Sequence, residues 1–138
     1  MKNYSHLNAN PAGNDTHDCA LRAISQAVGM PYAETAERLG IKLHRWNRVS
    51  RGPTVDQIQR SFQDCLSPVR RRLDNCRMSL SFFANTIGPG VYLAMVSDES
   101  DENSMGHIVM VKDGKYWDSF DSGKYGVYAY FEVTKHRT

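Results

Sequence analysis

The spacing of apolar residues changes period once along the chain. From residue 19 to about residue 87 they recur at helical intervals; from residue 91 onward they alternate or run together as in strands. Residues 19–28 carry Leu21, Ile24 and Val28 on one face, with Ala20, Ala23 and Ala27 beside them. Such a helix is apolar nearly all round, which predicts a central, buried position. Gly29 and Pro31 punctuate its end, and Pro31 suits the first turn of a short second helix that reaches Leu39 and stops at Gly40. "TVDQ" at 54–57 reads as a capping box, with Val55, Ile58, Phe62 and Cys65 as the stripe behind it. A further helix is predicted over 79–87, with Leu80, Phe83, Ala84 and Ile87 inward, ending at Gly88-Pro89. The stretches 41–53 and 68–77 read as basic connections.

Strands are predicted at about 91–96, 107–112, 115–120 and 125–133. "KDGK" joins the second to the third, because Asp-Gly tolerates the positive φ of a type I′ hairpin. A two-residue loop there sets Lys112 opposite Lys115, His107 opposite Phe120 and Asp118 opposite Val109. His107 and Asp118 then share a face as diagonal neighbours, with backbones roughly 7–8 Å apart. Asp121 falls on the other face by parity. Helices followed by an antiparallel sheet predict an α+β fold, built as a single domain over residues 1–138.

Composition narrows the function classes. A chain of 138 residues can build a core without staples. A net charge of +2 is too mild to imply nucleic acid, and the acidic run at 98–102 offsets the short basic runs "HRWNRVSR" and "RRR". The cysteines, at 19, 65 and 76, form no CxxC pair. That argues against a disulfide framework and against the short paired ligands of structural zinc, so no metal and no cofactor is expected. The N-terminus has no apolar signal core, and "VYLAMV" is too short to span a bilayer. The expectation is a cytoplasmic protein with no membrane partner.

One cysteine stands out. A free cysteine is ordinarily a small buried hydrophobe, but Cys19 sits where "NDTHDC" turns into the apolar helix. Unpaired N–H groups and the positive dipole end favour a thiolate in that first turn. A nucleophilic thiol needs a base, and the base needs an orienting group. His107 opens a strand just after a glycine, at a sheet end. Asp118, between Trp117 and Ser119 in an otherwise apolar strand, is costly to bury unless something pairs with it, and His107 is the histidine placed to do so. Cys19, His107 and Asp118 therefore form a candidate nucleophile, base and orienter. For the oxyanion, the Cys19 N–H is one donor and the Asn14 side chain the best candidate for a second. Asn14 reads equally as an Asx-turn residue in "GNDT".

Cysteine at the start of a central helix, then histidine on a strand and aspartate on the next, resembles the chain order of the papain-like cysteine peptidase superfamily. More narrowly, "HDCALRAISQAVGMPYAETAERL" followed by "GHIVMVKDGKYWDSFDSG" resembles small uncharacterised members often found in bacteriophage genomes. The resemblance implies a papain-like fold, with Cys19 as nucleophile, His107 as general base and acid, and Asp118 as orienting group. In papain the oxyanion glutamine lies six residues before the cysteine. That position here is Gly13, with Asn14 one closer, and "DCALR" replaces the usual glycine and tryptophan. The superfamily spans peptidases, isopeptidases, transglutaminases and acyltransferases, so the fold alone does not name a substrate.

Two functions follow as expectations. One is a cysteine hydrolase acting on a peptide, isopeptide or related acyl bond of a protein or peptide, in the host cytoplasm if phage-encoded. The other is a catalytically idle papain-like module that binds and blocks a host protein. The acidic segment "SDESDENSMG" at 97–106, leading into His107, favours a basic partner by charge steering.

Overall fold

The structure, a computed structural model, describes residues 3–6, 19–41, 53–71, 78–97, 107–118 and 121–135. They form four helices and a seven-stranded mixed sheet, an α+β architecture. The elements in chain order are β1 (Tyr4–His6), α1 (Cys19–Val28), α2 (Tyr32–Arg38), α3 (Val55–Ser61), β2 (Arg70–Arg71) and β3 (Met78–Ser79). They continue with α4 (Leu80–Thr86), β4 (Val91–Ser97), β5 (His107–Lys112), β6 (Lys115–Asp118) and β7 (Gly126–Glu132). The strand order is β1-β6-β5-β4-β7-β2, with β3 pairing to β7.

The central strand explains the apolar run. Residues Tyr92 to Val96 are buried on both sides of the sheet. Leu93 and Met95 face α1, α2 and α3, in a core with Leu21, Ile24, Val28, Ile58, Phe62 and Phe131. Ala94 and Val96 face α4, in a second core with Leu80, Phe83, Val109, Val111, Tyr116 and Val127. A strand covered on both faces has no polar face to alternate with, so period 2 disappears. Burying each large side chain of this kind is worth about 1.5–3 kcal/mol.

The local sequence signals act as chemistry requires. The Thr54 side chain accepts from the Gln57 N–H at 3.1 Å, and the Gln57 side chain accepts from the Thr54 N–H at 2.8 Å. Asp113 and Gly114 both take positive φ, 53° and 80°. The hairpin register is Lys112↔Lys115, Val111↔Tyr116 and Met110↔Trp117, with no bulge. The expected boundaries of β5 coincide with the observed ones.

Three short strands were not expected. β2 lies where the sequence reads as connection, an isolated bridge joins Leu66 to Val133, and β3 holds only two residues ahead of α4. β1 runs parallel to β6, with Tyr4↔Tyr116 and His6↔Asp118 in register. It is pinned by Asn3, whose side chain donates to Ser81 O and Gly114 O and accepts from Ser81 Oγ.

Candidate active site

α1 carries Cys19 as its first residue. The rest of the helix is fixed by burial of Leu21, Ile24, Ala27 and Val28, none more than 1% exposed, so the thiol is held at the end of a rigid element. That end lies against β5. The His107 ring and the Ile108 N–H both act on the Cys19 thiol in the direction that favours its ionised form. Thus the first two residues of β5 both address the thiol.

His107 is held in turn. Its Nε2 lies 2.6 Å from Asp118 Oδ2, which leaves Nδ1 as the ring nitrogen for Cys19. The imidazole side chain is 12% exposed and the carboxylate 5%, so the pair sits largely out of water. Asp118 Oδ2 also accepts from Ser122 Oγ at 2.7 Å, and Tyr4 Oη donates to the Asp118 carbonyl at 3.2 Å. The hairpin parity thus brings His107 and Asp118 together, and Asp121 points elsewhere, to Tyr116 Oη at 2.5 Å.

The electrostatics follow. Burial works against ionising Cys19, yet the hydrogen bond and charge of His107, the Ile108 N–H and the positive charge of Arg22 carry the thiol below its ordinary value. Burial likewise works against the imidazolium. The Asp118 and Cys19 hydrogen bonds and charges overcome it and push His107 up to about 9. Each partner stabilises the charged form of the other, which favours a thiolate–imidazolium pair over the neutral thiol and imidazole. Cys65, fully buried behind α3, is pushed the other way by burial.

A small cleft opens beside the thiol, lined by Cys19, Arg22, Ala23, Ile108, Met110, Trp117 and Asp118. It has room for about one water-sized body. Its walls are apolar apart from Cys19, Asp118 and the Arg22 side chain, which is 7% exposed.

Sequence reasoning placed Cys19, His107 and Asp118, and the structure brings all three together, with His107 hydrogen-bonded to Asp118 and acting on the Cys19 thiol. It missed Ser122, the Ile108 N–H, Arg22 and Tyr4. Arg22, one helical turn after Cys19, was legible from the i+3 spacing. Asn14, Cys76 and the acidic segment 98–106 lie outside the described residues. Among the described residues no group of three or more His, Cys, Asp or Glu is placed to hold a metal ion, and no helix is long and apolar enough to cross a membrane.

No protein-family model, curated protein or solved structure matches the chain. Its chemistry rests on its own residues.

Proposed function

We propose that this protein is a papain-like cysteine hydrolase, or a related thiol acyltransferase, acting on a peptide, isopeptide or similar acyl bond. The observation that carries this reading is the ordered line Cys19–His107–Asp118, in which one imidazole bridges a depressed thiol and a buried carboxylate. A structural histidine has no need of a thiol at one nitrogen and a carboxylate at the other.

The reaction would run as follows. The Cys19 thiolate attacks the substrate carbonyl, forming a C–S bond and an oxyanion. N–H groups in the first turn of α1 would donate to that oxyanion, with Asn14 the proposed side-chain donor. The His107 imidazolium gives the leaving nitrogen its proton from Nδ1 as the C–N bond breaks. The acyl group then rests on sulfur. Neutral His107 next takes a proton from water, or from an acceptor amine or alcohol, which attacks the thioester and returns the thiolate–imidazolium pair. Asp118 keeps the Nε2–H tautomer and ring orientation through both halves.

The narrow cleft favours a second reading, in which the same fold binds and blocks a partner and the triad is idle. Incubation with a small activated ester, followed by mass spectrometry of the intact chain, tests both. The catalytic reading expects one acyl group on Cys19, its hydrolysis on standing, and no adduct in Cys19→Ala. Absence of any Cys19 adduct, together with an ordinary thiol alkylation profile, overturns it in favour of the binding module.

A further inference from the structure

The turn that follows β6 is built more tightly than a connection requires. Asp121 Oδ1 accepts from Tyr116 Oη at 2.5 Å and from the Gly123 N–H at 3.0 Å. Ser122, between them, is fully buried although its side chain is polar. Its carbonyl accepts from Tyr125 N–H at 3.0 Å. The far side of the turn is tied to the start of α4, where Ser81 N–H donates to Gly123 O and Leu80 N–H to Tyr125 O, at 3.0 and 2.8 Å. A Cβ on Gly123 would fall 2.3 Å from Tyr116 Oη, so only glycine allows this approach. Tyr116 is itself 3% exposed. Burial raises its phenol, with the Asp121 hydrogen bond and charge next, so it remains a proton donor across the working range.

All of this converges on one atom. Ser122 Oγ and His107 Nε2 meet at the same oxygen, Asp118 Oδ2. A second donor on the same oxygen restricts rotation of the carboxylate plane and so holds that oxygen aimed at the imidazole. We propose that Ser122 is a positioning residue for the Cys19–His107–Asp118 site, and that Tyr116 and Asp121 form the latch that holds it there. This rests on the catalytic reading above for its consequence, though not for its geometry. It also assigns Asp121 a part that its position outside the triad conceals. The carboxylate reaches the site through the turn and not through the histidine.

Ser122→Ala and Tyr116→Phe each delete one oxygen and keep the carbon framework. The readouts are the alkylation rate of Cys19 at neutral pH, the far-downfield NMR resonance of the His107 Nε2 proton, and the melting temperature. Loss of one hydrogen bond predicts an alkylation rate about three- to ten-fold lower in Ser122→Ala. The Nε2 proton should exchange faster with water and its resonance broaden. Tyr116→Phe should move both readouts the same way by a smaller factor, and Gly123→Ala should do so by forcing Tyr116 off Asp121. A melting shift without change in either readout would mean that the turn is only structural, and the proposal fails. Wild-type rate and resonance in Ser122→Ala overturn it equally. If Ser122→Ala does not fold, Tyr116→Phe decides by the same two readouts. The catalytic reading fails separately, if the native protein itself shows an ordinary thiol profile while its Nε2 resonance stays sharp.

Discussion

Replacing Asp118 by asparagine separates charge from geometry. Two donors to the Asp118 carboxylate, Nε2 of His107 and Oγ of Ser122, aim at Oδ2. An amide oxygen in the same place accepts both, so the ring keeps its tautomer and orientation while the negative charge is gone. A hydrogen bond to a charged group is worth about 1.5–3 kcal/mol, and each pKa unit corresponds to about 1.36 kcal/mol. His107 should therefore fall from about 9 to roughly 7–8 in Asp118→Asn. The sign for Cys19 follows. A weaker imidazolium stabilises the thiolate less, so the thiol rises, and the ion pair loses about 10- to 150-fold in population relative to the neutral pair. The assay is alkylation of Cys19 by iodoacetamide from about pH 5 to about pH 10, alongside an NMR titration of the His107 ring. At about pH 6 the variant should react at least roughly ten-fold more slowly. At about pH 10, where the thiolate forms unaided, the two proteins should react alike. Equal rates at the acid end, with an unmoved histidine titration, would refute the claim that the Asp118 charge supports the pair.

Other outcomes follow from the same coordinates. Cys19, partly exposed and depressed, should be alkylated well before Cys65, which is fully buried and raised; peptide mapping after a limiting reagent reads the order, and equal labelling of the two counts against an activated thiol. Turnover should rise with pH through the depressed Cys19 ionisation and fall near pH 9, because the leaving group needs the proton that His107 has lost above its raised value. A profile that keeps rising beyond that point would mean that His107 is no acid. Thr54→Ala removes half of the capping box and should cost about 1 kcal/mol, or about 3–5 °C in melting temperature, with the Cys19 alkylation rate unchanged.

Much of the site was legible because it depends on local rules. The Asp113-Gly114 dipeptide sets a register, the register sets parity, and parity put His107 and Asp118 on one face before any coordinate did. The capping box at Thr54 and the stripe through Ile58 and Phe62 are equally local. What escaped is what depends on contacts across the chain. β1 has three residues and β2 two, too few to show a period, and their pairing partners lie far along the sequence. Ser122 is one serine in a polar turn, and nothing near it in sequence says that its hydroxyl faces inward. The donor from Ile108 is a backbone group, which no side-chain pattern can mark.

On the proposed reading, Cys19 precedes its base, its orienter and the β1 partner strand, which come from residues 107–118. Contacts so distant in sequence form late in folding. During synthesis, then, Cys19 leaves the ribosome long before the imidazole that activates it. Until His107 and Asp118 are made and docked, the emerging chain carries only an ordinary thiol. On that reading, reactivity toward neighbouring proteins would be withheld until translation has passed Asp118, and the timing of activation would be written into the order of the elements.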